Sequence, residues 1–131
     1  MLRVHDGDTL TVRCGDHAAM TLRVDDIDAP ELQQAYGVAA REALVEHVHG
    51  RPIAVTSRAI DRYGRTVAQI DNDAGDIGLQ LVADGLAWCG MRPTRACRTT
   101  LAAARAAGRG LWAAPDPQPP WQWRRDHPRR D

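Results

Sequence analysis

The sequence predicts a mixed α+β domain whose short strands, interrupted by helices, close into a small barrel. The chain has 131 residues, which is the size of one ordinary domain. Apolar and polar residues alternate over several short segments, and segments with helical spacing lie between them. The strands do not alternate one by one with long helices, so a parallel, doubly wound sheet is not expected. Five short strands with intervening helices favour a closed barrel instead.

Two alternating segments near the N-terminus predict a β-hairpin. Apolar side chains take every second position in residues 10–14 and again in residues 20–24, with a Gly15-Asp16 turn between them. The alternation includes Cys14, which we therefore expect to be a buried thiol. Pro30 ends the strand pattern, because proline has no N–H to donate within a central strand.

Three helices and three further strands follow. Apolar residues recur at four-residue spacing in residues 35–49, which predicts a helix that Gly50 ends. We expect a short helix capped by Asp76 and closed by Gly85, and an alanine-rich helix over residues 95–109. The remaining strands are predicted at residues 53–57, 66–70 and 86–88.

The charge composition excludes a strongly basic nucleic-acid binder. Seventeen arginines balance seventeen acidic residues, and the chain has no lysine. Non-specific nucleic-acid binders are usually basic overall, so any affinity for phosphate has to come from a local cluster. With 44% hydrophobic and 26% charged residues, the chain has the composition of a soluble globular domain.

No segment predicts a membrane span or an export signal. No apolar run approaches the roughly 18 residues of a membrane helix, and the first eight residues lack the apolar core of a signal peptide. The sequence as written therefore predicts a cytoplasmic location. The three cysteines form no C-x-x-C pair, so free thiols are favoured, although Cys89 and Cys97 would be able to pair in an exported protein.

Two acidic clusters lie where strands begin and end, and they form the first candidate site. Asp6 and Asp8 precede the first strand of the hairpin, and Asp28 and Glu31 follow the second. Carboxylates gathered near one strand end can hold a hard cation such as Ca²⁺ through oxygen ligands. An Asp-Gly pair is also a common turn, and each cluster taken alone is open to that interpretation.

Arginines near these carboxylates would complete a phosphate site. Arg23 lies on the polar face of the second hairpin strand, and Arg62 and Arg65 lie in a turn at residues 61–65. An arginine fork binds phosphate oxygens in a bidentate manner, although a lone arginine is usually a solvated surface group. Two arginines, a glutamate and a cation around one phosphate would form a centre for phosphodiester hydrolysis, because the positive groups stabilise charge on five-coordinate phosphorus.

Taken together, these motifs resemble those of the staphylococcal nuclease, or thermonuclease, family. The resemblance rests on VHDGDTL, LRVDDIDAPE and DRYGR and on later blocks, and it spans nearly the whole chain; the blocks are residues 4–10, 22–31, 34–37, 61–65, 81–88, 110–112 and 119–125. It implies a five-stranded OB-fold β-barrel with three α-helices. It also implies Ca²⁺-dependent cleavage of DNA and RNA with little specificity for the sugar, leaving 3′-phosphate ends.

The resemblance also implies the roles of the central residues. The metal ligands of the family correspond here to Asp8, Asp28 and the main-chain carbonyl of Ala29. Its catalytic glutamate and its two phosphate-binding arginines correspond to the residues Glu31, Arg23 and Arg65.

Substrate contacts and domain limits complete these expectations. Tyr63 matches a tyrosine beside the bound nucleotide, and Arg62 of the same turn is assigned with it to substrate binding. The nuclease-like domain is expected over residues 1–114. A proline- and arginine-rich tail over residues 115–131 is expected to be solvated, with phosphate contact by its arginines as the alternative. We expect a monomer that acts on DNA and RNA and has no membrane partner; relatives in the family are often secreted, so the compartment stays open.

Two other interpretations remain open. A non-catalytic OB-type module that binds nucleic acid or protein would be expected to lack one or more of the five central residues. All five are present, namely Asp8, Arg23, Asp28, Glu31 and Arg65. A purely structural barrel with the same charges would predict no effect of metal ions at all.

Overall fold

Short strands form the framework of the chain. The computed structural model describes residues 2–13 and 15–128, so the expectations for Cys14 and for the last arginines of the tail, Arg129 and Arg130, lie outside the described residues. Eight strands follow one another in the described part: β1 (Leu2–Val4), β2 (Thr9–Val12), β3 (Met20–Val24), β4 (Ile27–Asp28), β5 (Ala54–Ile60), β6 (Thr66–Asn72), β7 (Gly75–Asp76) and β8 (Trp88–Cys89).

One six-stranded sheet contains the hairpin that the sequence predicts. Strands β2 and β3 pair in antiparallel fashion, with Leu10 opposite Leu22. The sheet order is β1-β2-β3-β6-β5, with β7 beside β6. Strand β3 runs parallel to β6, whereas β4 and β8 form a separate two-stranded pair. The hairpin is thus confirmed, and each of its two strands has a neighbouring strand on both sides.

The strand pairing does not confirm a closed five-stranded barrel. Among the described residues, β1 and β5 are the two ends of the sheet path. The strands that the sequence analysis missed are β1, β4 and β7, each two or three residues long. Segments this short show no measurable alternation, so they escape a pattern-based prediction. The mixed α+β class is confirmed.

Four α-helices occur in the described residues, one more than the sequence predicts. They are α1 (Gly37–Val48), α2 (Ile77–Ala83), α3 (Arg95–Ala106) and α4 (Pro120–Asp126). Asp76 caps α2 as predicted, because its carboxylate accepts a hydrogen bond of 3.2 Å from the N–H of Leu79. The unexpected helix is α4, and its Pro120 suits the first helical position, where a fixed φ helps and no N–H is needed. In the described chain, no helix has the length and apolar character to cross a membrane.

The hydrophobic core lies between the sheet and the helices α1 and α2. Leu10 and Leu22 from the hairpin, Leu44 from α1 and Leu81 from α2 are all fully buried. Each such side chain contributes roughly 1.5–3 kcal/mol to stability through its burial. The core therefore anchors the hairpin whose polar edges carry the candidate site.

A disulfide bond joins Cys89 of β8 to Cys97 of α3. The expectation of free thiols is therefore wrong for this pair. The two Cα atoms lie 6.0 Å apart, a separation that a disulfide spans readily. The spacing of eight residues between the two cysteines does not by itself predict a disulfide bond. The turn from β8 into α3 brings the two side chains together.

Tryptophan contacts attach the C-terminal segment to the rest of the domain. The ring of Trp88 in β8 meets Trp112 edge to face at a centroid distance of 5.2 Å, and Trp121 of α4 in the same manner at 6.0 Å. Pro120 at the start of α4 is fully buried. This packing fixes α4 beside the domain, at the position from which Arg124 reaches the acidic loop.

Candidate active site

A cleft of about 600 Å³ opens where the hairpin, the loop after β4, the turn before β6 and α4 meet. All the sequence-predicted site side chains line it except that of Ala29. The lining residues are Asp6, Asp8, Arg23, Asp28, Glu31, Arg62, Tyr63, Arg65, Trp123, Arg124 and His127. Four carboxylates and four arginines share this wall, so a chain without net charge has a strongly charged local site.

Asp8 is held at the cleft by a close approach of the chain before β2. Its main-chain N–H donates to Oδ1 of Asp6 at 3.0 Å, and its carboxylate accepts from the N–H of Ala29 at 2.8 Å. A Cβ at Gly7 would lie only 2.7 Å from the Cβ atoms of both Ala29 and Ala40. The absence of a side chain at Gly7 therefore allows the acidic segment to pack against Ala29 of the site loop and Ala40 of α1.

The environment of Asp8 changes its acidity. Burial raises the pKa of the Asp8 carboxyl to about 6, and the nearby charge of Asp6 acts in the same direction. Arg23 and the hydrogen bond from Ala29 oppose this rise without cancelling it. A buried carboxylate is costly to ionise unless a positive charge compensates it, so the site favours a cationic partner for Asp8.

Arg23 brings two carboxylates toward one point. The register of the hairpin places Arg23 opposite Thr9, next to Asp8. Its Nη2 lies 3.4 Å from Oδ2 of Asp8 and 3.7 Å from Oδ1 of Asp28, and its Nη1 donates to the carbonyl of Val24 at 2.6 Å. Both carboxylates thus face a single positively charged nitrogen.

Glu31 lies in a loop whose shape depends on Gln34 and Gly37. The N–H of Glu31 donates to Oε1 of Gln34 at 3.0 Å, and the N–H of Gln34 donates to the carbonyl of Glu31 at 2.8 Å. A Cβ at Gly37 would lie 2.0 Å from that carbonyl oxygen, so only glycine permits α1 to begin this close to the loop. The buried Gln34 amide also donates to the carbonyl of Gln118. Sequence reasoning assigned Gln34 no such role.

The turn between β5 and β6 is fixed by Asp61. Its carboxylate accepts from the N–H groups of Tyr63 and Arg65 at 2.9 and 3.0 Å, and from Nε of Arg65 at 2.8 Å. Burial acts to raise the pKa of Asp61, but the hydrogen bonds from Arg65 and Tyr63 outweigh it and the pKa is lowered. Asp61 therefore stays ionised and holds Arg65 at the cleft wall.

The exposed ring of Tyr63 has two guanidinium groups near it. The guanidinium carbons of Arg62 and Arg65 lie 5.0 and 5.3 Å from the ring centroid, and Nη2 of Arg62 donates to the phenolic oxygen at 2.8 Å. The side chain is 62% exposed. An exposed aromatic ring with arginines beside it can stack on a nucleic-acid base while the arginines meet the backbone phosphates.

Arg124 of α4 contacts two carboxylates of the cleft, those of Asp28 and Glu31. Its Nη1 donates to Oδ1 of Asp28 at 3.2 Å and to Oε1 of Glu31 at 2.9 Å, and its Nη2 donates to Oδ2 of Asp28 at 2.9 Å. The hydrogen bond to Asp28 is the main influence that raises the pKa of Arg124. The sequence predicts a solvated tail, whereas Arg124 is paired with two carboxylates. The two tryptophans that flank Gln122 are the sequence signal of a packed segment here.

The arrangement of acidic side chains limits the number of side-chain ligands that a metal ion could have in the cleft. Within residues 2–13 and 15–128, no group of three or more His, Cys, Asp or Glu side chains is arranged to hold a metal ion. Asp8 and Asp28 are two converging carboxylates, so a cation between them would need further oxygen ligands from the main chain or from water.

Known proteins are similar to this sequence over most of its length. Residues 21–114 match the protein family described as "Staphylococcal nuclease homologue". The chain is 34% identical over 127 residues to an uncharacterized endonuclease of Haemophilus influenzae, an alignment that covers 95% of this chain and 71% of that protein. It is 34% identical over 138 residues to a micrococcal nuclease of Shigella flexneri, covering 95% of this chain and 79% of that protein.

A plant relative matches over a smaller share of its own length. A probable staphylococcal-like nuclease of Oryza sativa is 40% identical over 109 residues, which is 80% of this chain and 32% of that protein. The residues that match the family, 21–114, include Arg23, Asp28, Glu31 and Arg65 of the cleft.

Proposed function

The chain belongs to the staphylococcal nuclease family and is a nuclease, and from that premise we propose that it is a Ca²⁺-dependent enzyme that cleaves both DNA and RNA and leaves 3′-phosphate ends. Nucleases of this family are generally metal-dependent. The observation that carries the proposal is the convergence of Asp8 and Asp28 on one guanidinium nitrogen of Arg23, with Glu31 in the same cleft.

The donor set fits a hard divalent cation. Asp8 and Asp28 supply carboxylate oxygens; among the described residues that line the cleft there is no thiolate, and His127 has the one imidazole. Oxygen-only sites suit Ca²⁺ or Mg²⁺ better than Zn²⁺, and Ca²⁺ tolerates irregular geometry completed by a main-chain carbonyl, here that of Ala29, and by water. A cation would also compensate the buried charge of Asp8, whose pKa is raised to about 6.

The arginines act on the phosphate. A bound cation supplies stabilisation of the negative charge that builds up on phosphorus during displacement. Arg23 and Arg65 would bind the phosphate oxygens and strengthen that stabilisation in the transition state. Asp61 engages Nε of Arg65, and the Nη groups of Arg65 have no hydrogen-bond partner among the described residues, so they are available to a phosphate.

Glu31 handles the proton of the attacking water. The Glu31 carboxylate would take a proton from the attacking water or orient that water. The water oxygen forms a bond to phosphorus while the bond from phosphorus to the 5′ oxygen breaks. The 5′ oxygen takes a proton from solvent water and leaves as a hydroxyl, Glu31 returns its proton to solvent, and the phosphate stays on the 3′ side. Tyr63 and Arg62 would bind the neighbouring nucleotide through stacking and charge.

Digestion of a plasmid and of an RNA transcript with Ca²⁺, Mg²⁺ or EDTA tests this proposal. Cleavage of both substrates with Ca²⁺ and loss of cleavage in EDTA is the expected result, together with product ends that a 3′-phosphatase makes extendable by a polymerase. Full activity in excess EDTA contradicts the metal role. Binding of nucleic acid with Ca²⁺ but without any cleavage favours the alternative, a non-catalytic binding module.

A further inference from the structure

The cleft has four arginines, and the proposed reaction gives roles to Arg23, Arg62 and Arg65 but none to Arg124. Arg124 makes three hydrogen bonds to two site carboxylates, at 2.9 to 3.2 Å. Asp28 receives two of these bonds and also lies 3.7 Å from Nη2 of Arg23, so two guanidinium groups share one carboxylate. Asp28 would therefore keep Arg23 as a neighbour if Arg124 moved away from it.

The helix that carries Arg124 is held firmly from several sides. Trp121 packs edge to face on Trp88, and Pro120 is fully buried. Gln34 binds the carbonyl of Gln118, and the side chain of Gln118 donates to Asp126 at 2.9 Å. The same Gln34 fixes the Glu31 loop, so the backbone of α4 and the acidic loop have a defined relative position.

The side chain of Arg124, in contrast, remains accessible from the cleft. It is 46% exposed, whereas Asp28 beneath it is 14% exposed. A cation bound by Asp8 and Asp28 would take up the oxygens of Asp28 and repel the guanidinium group. The fork that binds a carboxylate in two places also matches two oxygens of a phosphate.

We propose that Arg124 is a third phosphate-binding residue of the cleft, supplied by the C-terminal helix. In the protein without cation and substrate it pairs with Asp28 and Glu31, and when a cation takes Asp28 it turns to a backbone phosphate of the nucleic acid. The proposal rests on the proposed nuclease function, and it adds a substrate contact that lies outside residues 1–114.

Oligonucleotide binding tests the proposal separately from cleavage. The probe is a fluorescent single-stranded oligodeoxynucleotide with Ca²⁺, measured in the Glu31→Gln background, which keeps a hydrogen-bond acceptor at that position. We expect Arg124→Gln to weaken binding by about 10–100-fold, the effect of losing a charge-assisted hydrogen bond. The slope of log K against log salt should fall by about 0.7, the value for one phosphate contact on a single strand.

Two further variants make the comparison specific. Arg125→Gln removes the same charge from the exposed next position of α4 and should change affinity less than about twofold. Arg124→Lys keeps the charge but loses the fork, so it should fall between the parent and Arg124→Gln. An equal loss for Arg125→Gln overturns the proposal, because it would show only a general charge effect.

Calcium affinity, measured by calorimetry on the same variants, decides the remaining case. If Arg124→Gln tightens Ca²⁺ binding but leaves oligonucleotide affinity and its salt slope unchanged, Arg124 pairs only with carboxylates and the proposal is wrong. If the parent never cleaves nucleic acid, the proposed function fails, yet the binding comparison still decides whether Arg124 contacts phosphate.

Discussion

The two sides of the cleft are built in different ways. On the strand side, Asp8, Asp28 and Arg23 have side chains that are 10, 14 and 20% exposed, and main-chain hydrogen bonds hold the first and the last of them. The turn between β5 and β6 and the helix α4 form the other side, where the side chains of Arg65 and Arg124 are 31 and 46% exposed. The charges of the buried side are enclosed before any ligand binds, which suits a cation. The arginines of the more exposed side are accessible from solvent, which suits a polyanionic substrate.

Glu31 lies where the two sides meet, and replacing it should have the largest effect. Glu31→Gln keeps the size and the acceptor for Arg124 but removes the basicity, so cleavage should fall by about 10²–10⁴. Nucleic-acid binding should persist, because the site loses a negative charge. Single-turnover cleavage at saturating Ca²⁺ measures the effect, with Glu46→Gln on the exposed face of α1 as the control. A rate equal to that of the parent would remove Glu31 from the chemistry.

Arginine-to-lysine changes compare the two sides directly. Arg23→Lys and Arg65→Lys keep the charge and lose the planar fork, and each should lower kcat/KM by about 10²–10³ if both arginines contact the transition state. Arg13→Lys, at an exposed position after β2, serves as the control. Losses below tenfold for both variants would place neither arginine at the reacting phosphate.

Gln34 connects the two sides, and its loss should have a moderate effect. Gln34→Ala leaves the N–H of Glu31 and the carbonyl of Gln118 without a partner, which should cost about 1–3 kcal/mol in the free energy of unfolding. Cleavage should fall by roughly tenfold, since both Glu31 and α4 lose their alignment. Urea unfolding and cleavage rates on the same samples check this, with the exposed Gln122→Ala as the control. Unchanged stability and rate would show that the connection is unimportant.

Replacing the buried Asp8 on the strand side should have a smaller effect than the preceding variants, and that effect should be on thermal stability. The pKa of Asp8 is raised to about 6 in the folded protein, so its contribution favours folding below its ordinary pKa of 3.8 and is lost as pH rises through about 6. Asp8→Asn should therefore raise Tm by a few degrees at pH 7 in EDTA and change it little near pH 4. Thermal melts at the two pH values test this, beside exposed Asp16→Asn. A lower Tm at pH 7 would contradict the sign.

The sequence revealed the strand side well and the contribution of α4 poorly, for physical reasons. Period-two alternation placed Arg23 on the polar face of β3, and the hairpin register then brought it beside Asp8. The helix α4 was missed because its seven residues follow a proline-rich stretch with no apolar periodicity. Its place depends on packing between Trp121 and Trp88, residues far apart in the chain.

Other differences have the same origin in long-range contacts. The pairing of Cys89 with Cys97 depends on the turn into α3, and the open ends of the sheet at β1 and β5 depend on strand pairing. Gln34 stood inside a recognised motif, yet its bond to Gln118 spans 84 residues. A local pattern does not specify which distant residue a side chain will contact.

Calorimetric titration of Ca²⁺ into the parent protein and into Asp28→Asn tests the central claim most directly. The account predicts one Ca²⁺ site in the parent and an affinity reduced by more than about tenfold in the variant, because even indirect partners of a metal change affinity by roughly 10–100-fold. The exposed variant Asp16→Asn should bind like the parent. Equal Ca²⁺ affinity in the parent and in Asp28→Asn, or no Ca²⁺ binding to either, would contradict the assignment of the strand side as the cation site.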